Sequence, residues 1–126
     1  MKIADSDVLI DALRGRDPWR TRIGLEIQSG ALSTTTINLF ELMSGADTKK
    51  EASKVEDLLG GLRILSLDET AAREAAAIRR ELQARGLPIA TADTLIAGIC
   101  RSIGATLLTR NRSHFQRVDG LAIDPL

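Results

Sequence analysis

Short apolar runs alternate with stretches of helical periodicity along the whole chain. The predicted strands are residues 2–4, 31–34, 62–67, 106–109 and 121–123. Between them, apolar residues recur every three or four positions, as in helices that bury one side. Strands that alternate with helices predict a parallel sheet, because each parallel crossover has the length of a helix. We therefore expect an α/β fold with a mostly parallel central sheet of about five strands and helices on both faces.

The length of 126 residues fits one domain over 1–126, since single cores usually span about 50–200 residues. No run approaches the roughly 20 apolar residues that cross a bilayer, so we expect no membrane association. The acidic Asp5 within the N-terminal segment argues against a signal peptide. Cys100 is the only cysteine and cannot form an internal disulfide, so we expect a reducing, cytoplasmic location.

Capping residues predict where several helices begin. Asp17 followed by Pro18 is typical of an N-cap and a first helical position. Asp68 is expected to cap the long helix that stops at Gly86, and Thr91 the helix after it.

Arginines are concentrated near the C-terminus, although the formal net charge of the chain is zero. Residues 98–117 contain no acidic side chain and four arginines: Arg101, Arg110, Arg112 and Arg117. The planar guanidinium presents five donors that match phosphate oxygens. A solvated surface with ion pairs is the structural alternative.

Four oxygen-bearing side chains follow predicted strands or lie one turn into the next helix: Asp5, Glu41, Asp93 and Asn111. Ligands of parallel sheets collect outside the carboxyl ends of the strands, so these side chains are candidates for one site. Each also has a structural explanation taken alone. Asp93 suits a helix N-terminus, Asp5 and its neighbour Asp7 suit a cap or first turn, and Asn111 suits a turn.

A group of carboxylates needs a cation. Two of them about 4 Å apart repel by roughly 1–4 kcal/mol, depending on the effective dielectric. Oxygen donors without histidine or cysteine favour Mg²⁺ or Mn²⁺ over Zn²⁺. Such ions stabilise both oxygens of an in-line phosphoryl displacement. Together with the arginines, the pattern predicts a metal-dependent nuclease.

Four segments carry a resemblance to a known family: ADSDVLI at 4–10, NLFELMSG at 38–45, IATADTLIA at 89–97 and LTRNRSHF at 108–115. With these motifs in this order, the chain resembles PIN-domain proteins. In size and layout it is similar to the VapC-type toxins of toxin–antitoxin pairs. The resemblance covers residues 3–124, nearly the whole chain.

The resemblance implies a Mg²⁺- or Mn²⁺-dependent endoribonuclease that a cognate VapB-like antitoxin holds inactive. A tRNA or rRNA substrate and a homodimer are expected on the same ground. By position, Asp5, Glu41 and Asp93 match the acidic site residues that bind metal, with Glu41 also orienting the attacking water. Asn111 stands at a fourth acidic position that is often aspartate, and Asp7 at one that is often asparagine, serine or threonine.

The resemblance also assigns roles around this acidic group. Thr109 and Asn111 are expected to hydrogen-bond a neighbouring carboxylate or a phosphate. The predicted RNA-backbone contacts are Arg110, Arg112 and Arg117, which are alternatively receptors for an acidic antitoxin tail. His114 is expected to be a turn residue and Cys100 a core residue.

Two alternatives stay open. One is a catalytically inactive PIN-like interaction module. The other is a haloacid-dehalogenase-like phosphatase, in which Asp5 would be the nucleophile and Asp7 the general acid. The phosphatase family has a lysine late in the chain, whereas no lysine here follows Lys54.

Overall fold

A parallel sheet forms the centre of the computed structural model, which describes residues 1–125. Its strands are β1 (Lys2–Ala4), β2 (Leu32–Thr35), β3 (Arg63–Leu65), β4 (Thr106–Leu108) and β5 (Ala122–Ile123). They lie in the order β3-β2-β1-β4-β5, and every pairing is parallel. The predicted α/β class and the number of strands are confirmed.

Helices cover both faces of the sheet. They are α1 (Ser6–Leu13), α2 (Trp19–Gln28), α3 (Thr36–Ser44), α4 (Lys49–Gly60), α5 (Glu69–Ala84), α6 (Thr91–Ile103) and α7 (Arg112–Phe115). Adjacent strand residues face opposite layers. Ile3 and Leu107 join the core formed with α5 and α6, whereas Ala4 and Leu108 join the core formed with α1 to α4. Within residues 1–125, no helix has the length and apolar character needed to span a membrane.

Two predicted caps are wrong and one is confirmed. Pro18, not Asp17, is the N-cap of α2, and the Asp17 carboxylate instead accepts from the hydroxyl of Thr21 at 2.7 Å. Ala90, not Thr91, is the N-cap of α6, because Ala90 has non-helical backbone angles and Thr91 is already the first helical residue. The Thr91 hydroxyl accepts from Arg79 at 2.8 Å. The Asp68 side chain caps α5 as expected.

The segment after β4 forms a short helix, α7, where the sequence predicted only a turn around His114. Phe115 at its end is fully buried and packs in the core that contains Leu107. Burial of this ring fixes the path of the chain directly beyond the sheet edge.

Helices α5 and α6 approach each other closely at Gly98. A Cβ atom added there would lie 2.6 Å from the Cβ of Ala75 and 2.8 Å from the carbonyl oxygen of Ala71. Only glycine permits this separation. The contact holds α6, and therefore Asp93 in its first turn, in a fixed position against the rest of the fold.

Candidate active site

The predicted site residues meet at the carboxyl edge of β1 and β4, near the centre of the sheet. Asp5 follows β1 directly, and its backbone N–H donates to the carbonyl of Leu108 at 2.9 Å. Thr109 follows β4. The strand order changes direction at β1, because β2 lies on one side and β4 on the other. Open parallel sheets bind ligands at such a point.

The Asp5 carboxylate is buried and accepts three hydrogen bonds. Its Oδ1 accepts from the backbone N–H of Ser6 at 2.8 Å and from Nδ2 of Asn38 at 3.1 Å. Its Oδ2 accepts from the Thr109 hydroxyl at 2.7 Å. Burial raises the pKa of Asp5, and these hydrogen bonds oppose the rise. Asp5 is therefore both the N-cap of α1 and the centre of the site.

A hydrogen-bonded chain connects Asp5 to Glu41. Asn38 is fully buried and donates from Nδ2 to the Ser6 hydroxyl at 2.9 Å as well as to Asp5. The Ser6 hydroxyl donates to Oε1 of Glu41 at 2.8 Å. A serine hydroxyl has one proton, so the direction of the chain is fixed from Asn38 towards Glu41.

Asn38 and Ser6 are site residues that the sequence reading missed. Asn38 is itself held by Thr35, whose hydroxyl donates to Oδ1 of Asn38 at 2.7 Å. The available signal was spacing, because residues three apart on a helix share a face and Asn38 lies three before Glu41.

Asp93 faces the same group from α6. Its Oδ2 accepts from Nδ2 of Asn111 at 3.2 Å, as predicted for Asn111. Burial is the main cause that raises the pKa of Asp93, and the negative charges of Asp5 and Glu41 add to it. The charge of His114 and the Asn111 hydrogen bond lower it. The charges of the predicted acidic residues therefore affect one another, and that of His114 acts on Asp93 as well.

Asp7 adds a fourth carboxylate with an unsatisfied oxygen. Its Oδ2 accepts from the backbone N–H of Arg110 at 3.0 Å, with the Thr109 hydroxyl at 3.4 Å. Its Oδ1 is buried and has no hydrogen-bond partner among residues 1–125. Burial first, and then the charge of Asp5, raise the pKa of Asp7 to about 6. A buried carboxylate oxygen without a donor is costly unless a proton or a cation neutralises it.

The donor set fits a hard divalent cation. The side chains consist of carboxylate, hydroxyl and amide groups, and the buried Oδ1 of Asp7 has no hydrogen-bond donor among residues 1–125. In the part of the chain described, no three acidic, histidine or cysteine side chains are grouped closely enough to enclose an ion alone. Mg²⁺ commonly binds one or two carboxylates and keeps several waters. Metal binding by Asp5, Glu41 and Asp93 stays a prediction.

The three arginines predicted to bind RNA all have intramolecular partners. Arg110 forms an ion pair with Asp11 at 3.2 Å. Arg112 donates to the carbonyl of Asp124, and Arg117 donates to the carbonyl of Pro88 at 3.0 Å. Their contact with RNA stays a prediction. Of the three, Arg110 lies nearest to the acidic group, because its backbone N–H donates to Asp7.

Comparison with known proteins decides the family. Residues 2–121 match the sequence profile of the PIN domain. The chain belongs to the PIN domain family. The resemblance stated from the four motifs is thereby confirmed, and the phosphatase alternative gains no support.

Similar PIN-domain proteins cover nearly the whole chain. The tRNA(fMet)-specific endonuclease VapC of Shigella flexneri is 29% identical over 121 residues, 93% of this chain and 91% of the relative. Ribonuclease VapC10 of Mycobacterium tuberculosis is 31% identical over 121 residues, 96% of this chain and 90% of the relative. The crystal structure of DNA-bound VapBC from Salmonella typhimurium matches with a TM-score of 0.89 and 28% identity, covering 98% of this chain and 96% of that one.

Proposed function

We propose that this PIN-domain protein is a metal-dependent endoribonuclease that hydrolyses RNA phosphodiester bonds and is neutralised by a VapB-like antitoxin. One observation carries the proposal: Asn38 and Ser6 link the carboxylates of Asp5 and Glu41 by hydrogen bonds at the sheet edge. The negative charges of both groups help to raise the pKa of Asp93, which supports its assignment to the same site. Relatives named as endonucleases and ribonucleases, over nearly the full chain, support the reaction class.

The acidic side chains have distinct tasks in this reaction. Asp5 is held rigidly by three donors and Asp93 by one, which suits both as metal ligands. Glu41 receives its only hydrogen bond from Ser6 at Oε1, within the described residues. Its Oε2 is therefore available to accept a proton from the attacking water. A bound Mg²⁺ or Mn²⁺ supplies charge stabilisation for the displaced and attacking oxygens.

Asn111 and Thr109 organise the edge of the site. Asn111 donates its side-chain amide to Asp93 and its backbone N–H to the Thr109 hydroxyl, the latter at 3.0 Å. The Thr109 hydroxyl in turn donates a hydrogen bond to Oδ2 of Asp5. These bonds fix the carboxylates relative to one another, and preorganised charge is the main protein contribution to phosphoryl-type chemistry.

Cleavage of a mixed tRNA and rRNA pool tests the proposal. Wild type and Asp5→Asn are compared with Mg²⁺, Mn²⁺ or EDTA, using antitoxin-free protein. We expect discrete fragments from wild type that require both the metal and Asp5. Asp57→Asn, the same change at an exposed position of α4, is the matched control and should cleave normally.

A second outcome would favour the interaction-module alternative. The nuclease proposal would be overturned if the well-folded wild type left the RNA intact and its melting temperature did not change on addition of Mn²⁺. Fragments that survive in EDTA would overturn the metal dependence alone.

The antitoxin is proposed to cover a groove that leads to Glu41. The groove has a volume of about 330 Å³ and lies between α1, α3 and α4. Its lining contains apolar side chains such as Leu13 and Leu42 and charged side chains of both signs: Arg14, Lys54, Glu41, Asp47 and Glu51. An amphipathic helix of the partner that places its apolar side in the groove and an acidic side chain at Lys54 fits this surface. Lys54→Glu is expected to weaken inhibition by the antitoxin and to leave cleavage unchanged.

Two expectations complete the proposal. A cytoplasmic location suits Cys100, a buried free thiol that a reducing compartment preserves. A homodimer is expected from the family resemblance, and sedimentation of the purified protein at two concentrations tests it.

A further inference from the structure

Asp11 is a buried carboxylate outside the acidic group described above. It lies on α1, one turn beyond Asp7, and its side chain is 8% exposed. Its Oδ1 has no hydrogen-bond partner among residues 1–125. A buried carboxylate is retained in a fold only when cations compensate for its lost hydration.

Two exposed arginines provide that compensation. Nε of Arg110 lies 3.2 Å from Oδ2 of Asp11, and Nη1 of Arg16 lies 3.7 Å from Oδ1. The two arginine side chains are 55% and 60% exposed. They come from separate loops, after β4 and after α1, so Asp11 brings together two cations that are distant in sequence.

The arginine pair borders the candidate active site. The backbone N–H of Arg110 donates to Asp7, while its guanidinium reaches Asp11. Asp7 and Asp11 are one helical turn apart, a rise of about 6 Å. A nucleic acid strand whose phosphate lies at the acidic group therefore has its neighbouring phosphate within reach of the pair.

Each guanidinium keeps donors for a ligand. Arg110 contacts Asp11 through Nε, and Arg16 contacts it through one terminal nitrogen. No other side-chain partner of either arginine is found among the described residues. The remaining N–H groups face solvent and match the spacing of phosphate oxygens.

We propose that Asp11 is a positioning residue that holds Arg16 and Arg110 as a clamp for an RNA backbone phosphate next to the acidic site. The inference rests on the proposed nuclease function and adds to it a defined substrate-binding surface. The clamp explains why a carboxylate is buried beside a site that binds an anion. Its role is to fix the arginines, not to contact the RNA.

The sign of one mutational effect tests the clamp. Asp11→Asn raises the formal net charge from zero to +1, so charge alone predicts tighter RNA binding. The clamp predicts the opposite, an affinity weaker by about tenfold, because both guanidinium groups lose their anchor. The measurement is fluorescence anisotropy with a short single-stranded RNA of mixed sequence in Mg²⁺, in an Asp5→Asn background that does not cut it.

Arg16→Ala is the second variant, since an exposed arginine is removed without touching the core. It should weaken RNA binding and lower the salt slope by roughly 0.7, the value for one single-strand phosphate. When Arg16→Ala is combined with Asp11→Asn, the double variant should bind RNA only slightly more weakly than Asp11→Asn alone. The matched control is Glu69→Gln, which frees the exposed Arg73 from an ion pair at 3.1 Å on α5 and should leave RNA affinity unchanged.

Unchanged or tighter RNA binding by Asp11→Asn, in a protein whose wild type cleaves RNA, would overturn the clamp and leave the nuclease proposal intact. Weaker binding of an acidic antitoxin peptide with unchanged RNA affinity would assign the arginines to the protein partner and also overturn it. A wild type that does not cleave RNA would be a failure of the proposed function itself.

Discussion

The Thr109 hydroxyl lies 2.7 Å from Oδ2 of Asp5 and 3.4 Å from Oδ2 of Asp7. A hydroxyl has one proton, so Thr109 donates its hydrogen bond to the nearer Asp5. Asp7 accepts instead from the backbone N–H of Arg110. This unequal sharing makes Asp5 the better stabilised of two neighbouring carboxylates.

Thr109→Val removes that proton without changing the size of the side chain. Asp5 is buried and would lose one of its three donors, so the free energy of unfolding should fall by about 1–3 kcal/mol. RNA cleavage should fall as well. Urea unfolding at neutral pH measures the first effect. Thr109→Ser keeps the hydroxyl and serves as the control; a Val variant as stable as the Ser variant would contradict the assignment.

Asn38→Asp replaces two donors with a carboxylate next to Asp5. Both residues are buried, so we expect a loss of about 2–4 kcal/mol in the free energy of unfolding. Because Asn38 is fully enclosed, Mn²⁺ should not restore the melting temperature. Recovery of wild-type stability on addition of Mn²⁺ would show that Asn38 itself faces the metal position.

Asn111→Asp is the same chemical change at a more exposed position. It places a carboxylate against Asp93, where Asn111 now donates at 3.2 Å. In EDTA the repulsion should cost about 1 kcal/mol of unfolding free energy. The rise in melting temperature caused by Mn²⁺ should exceed that of wild type. An identical Mn²⁺ response in both proteins would remove residue 111 from the metal environment.

Asp7→Asn tests the raised pKa of about 6. Between pH 4 and pH 6, roughly the interval between the ordinary and the raised value, the folded protein binds more protons at Asp7 than the unfolded chain does. The contribution of Asp7 to stability is therefore complete at low pH and is lost as the pH rises through about 6.

In EDTA, the Asn variant should thus be more stable than wild type at pH 7, by on the order of 1 kcal/mol after allowance for solvent screening. The difference should shrink towards pH 4 and vanish at about pH 3, where Asp7 is protonated in both states. Thermal unfolding at several pH values measures it. A difference that is the same at every pH would exclude ionisation of Asp7 as its cause.

Gly98→Ala should destabilise the fold. The added methyl would press on the carbonyl of Ala71, a backbone atom that cannot turn aside, so a loss of about 1–3 kcal/mol is expected. Gly24→Ala on α2 is the matched control, because a methyl there meets nothing within 4 Å. The control should gain about 0.5–1 kcal/mol from helix propensity. Equal melting temperatures of the Gly98→Ala and Gly24→Ala variants would contradict the close packing of α5 on α6.

Local patterns were sufficient for most of the fold. The apolar run at Lys2–Ala4 and the cap at Asp68 are found as predicted. The predicted cap at Thr91 was wrong by one residue, since Thr91 is already helical and its hydroxyl accepts from the distant Arg79. Phe40, the apolar neighbour of Glu41 on α3, is 67% exposed. Sequence periodicity does not distinguish a core face from a face that awaits a partner.

The acidic residues of the site could be predicted from their positions at or beyond strand ends, whereas the residues that support them have weaker signals. Asn38 contacts Asp5 across 33 residues, and its spacing of three from Glu41 is the one sequence signal that it carries. Asp11 has no sequence signal that separates it from a solvated helix residue. Such contacts exist only after the sheet has brought remote segments together.

The bond between Thr109 and Asp5 spans 104 residues and joins adjacent strands at the sheet centre. A chain emerging from the ribosome carries β1 before β4. Until β4 and Thr109 have been made, β1 lacks one of its two neighbouring strands, and the carboxylate after it lacks the Thr109 donor. The pocket is therefore completed only after two segments 104 residues apart have both been synthesised. A nascent fragment that ends before β4 would lack the complete site.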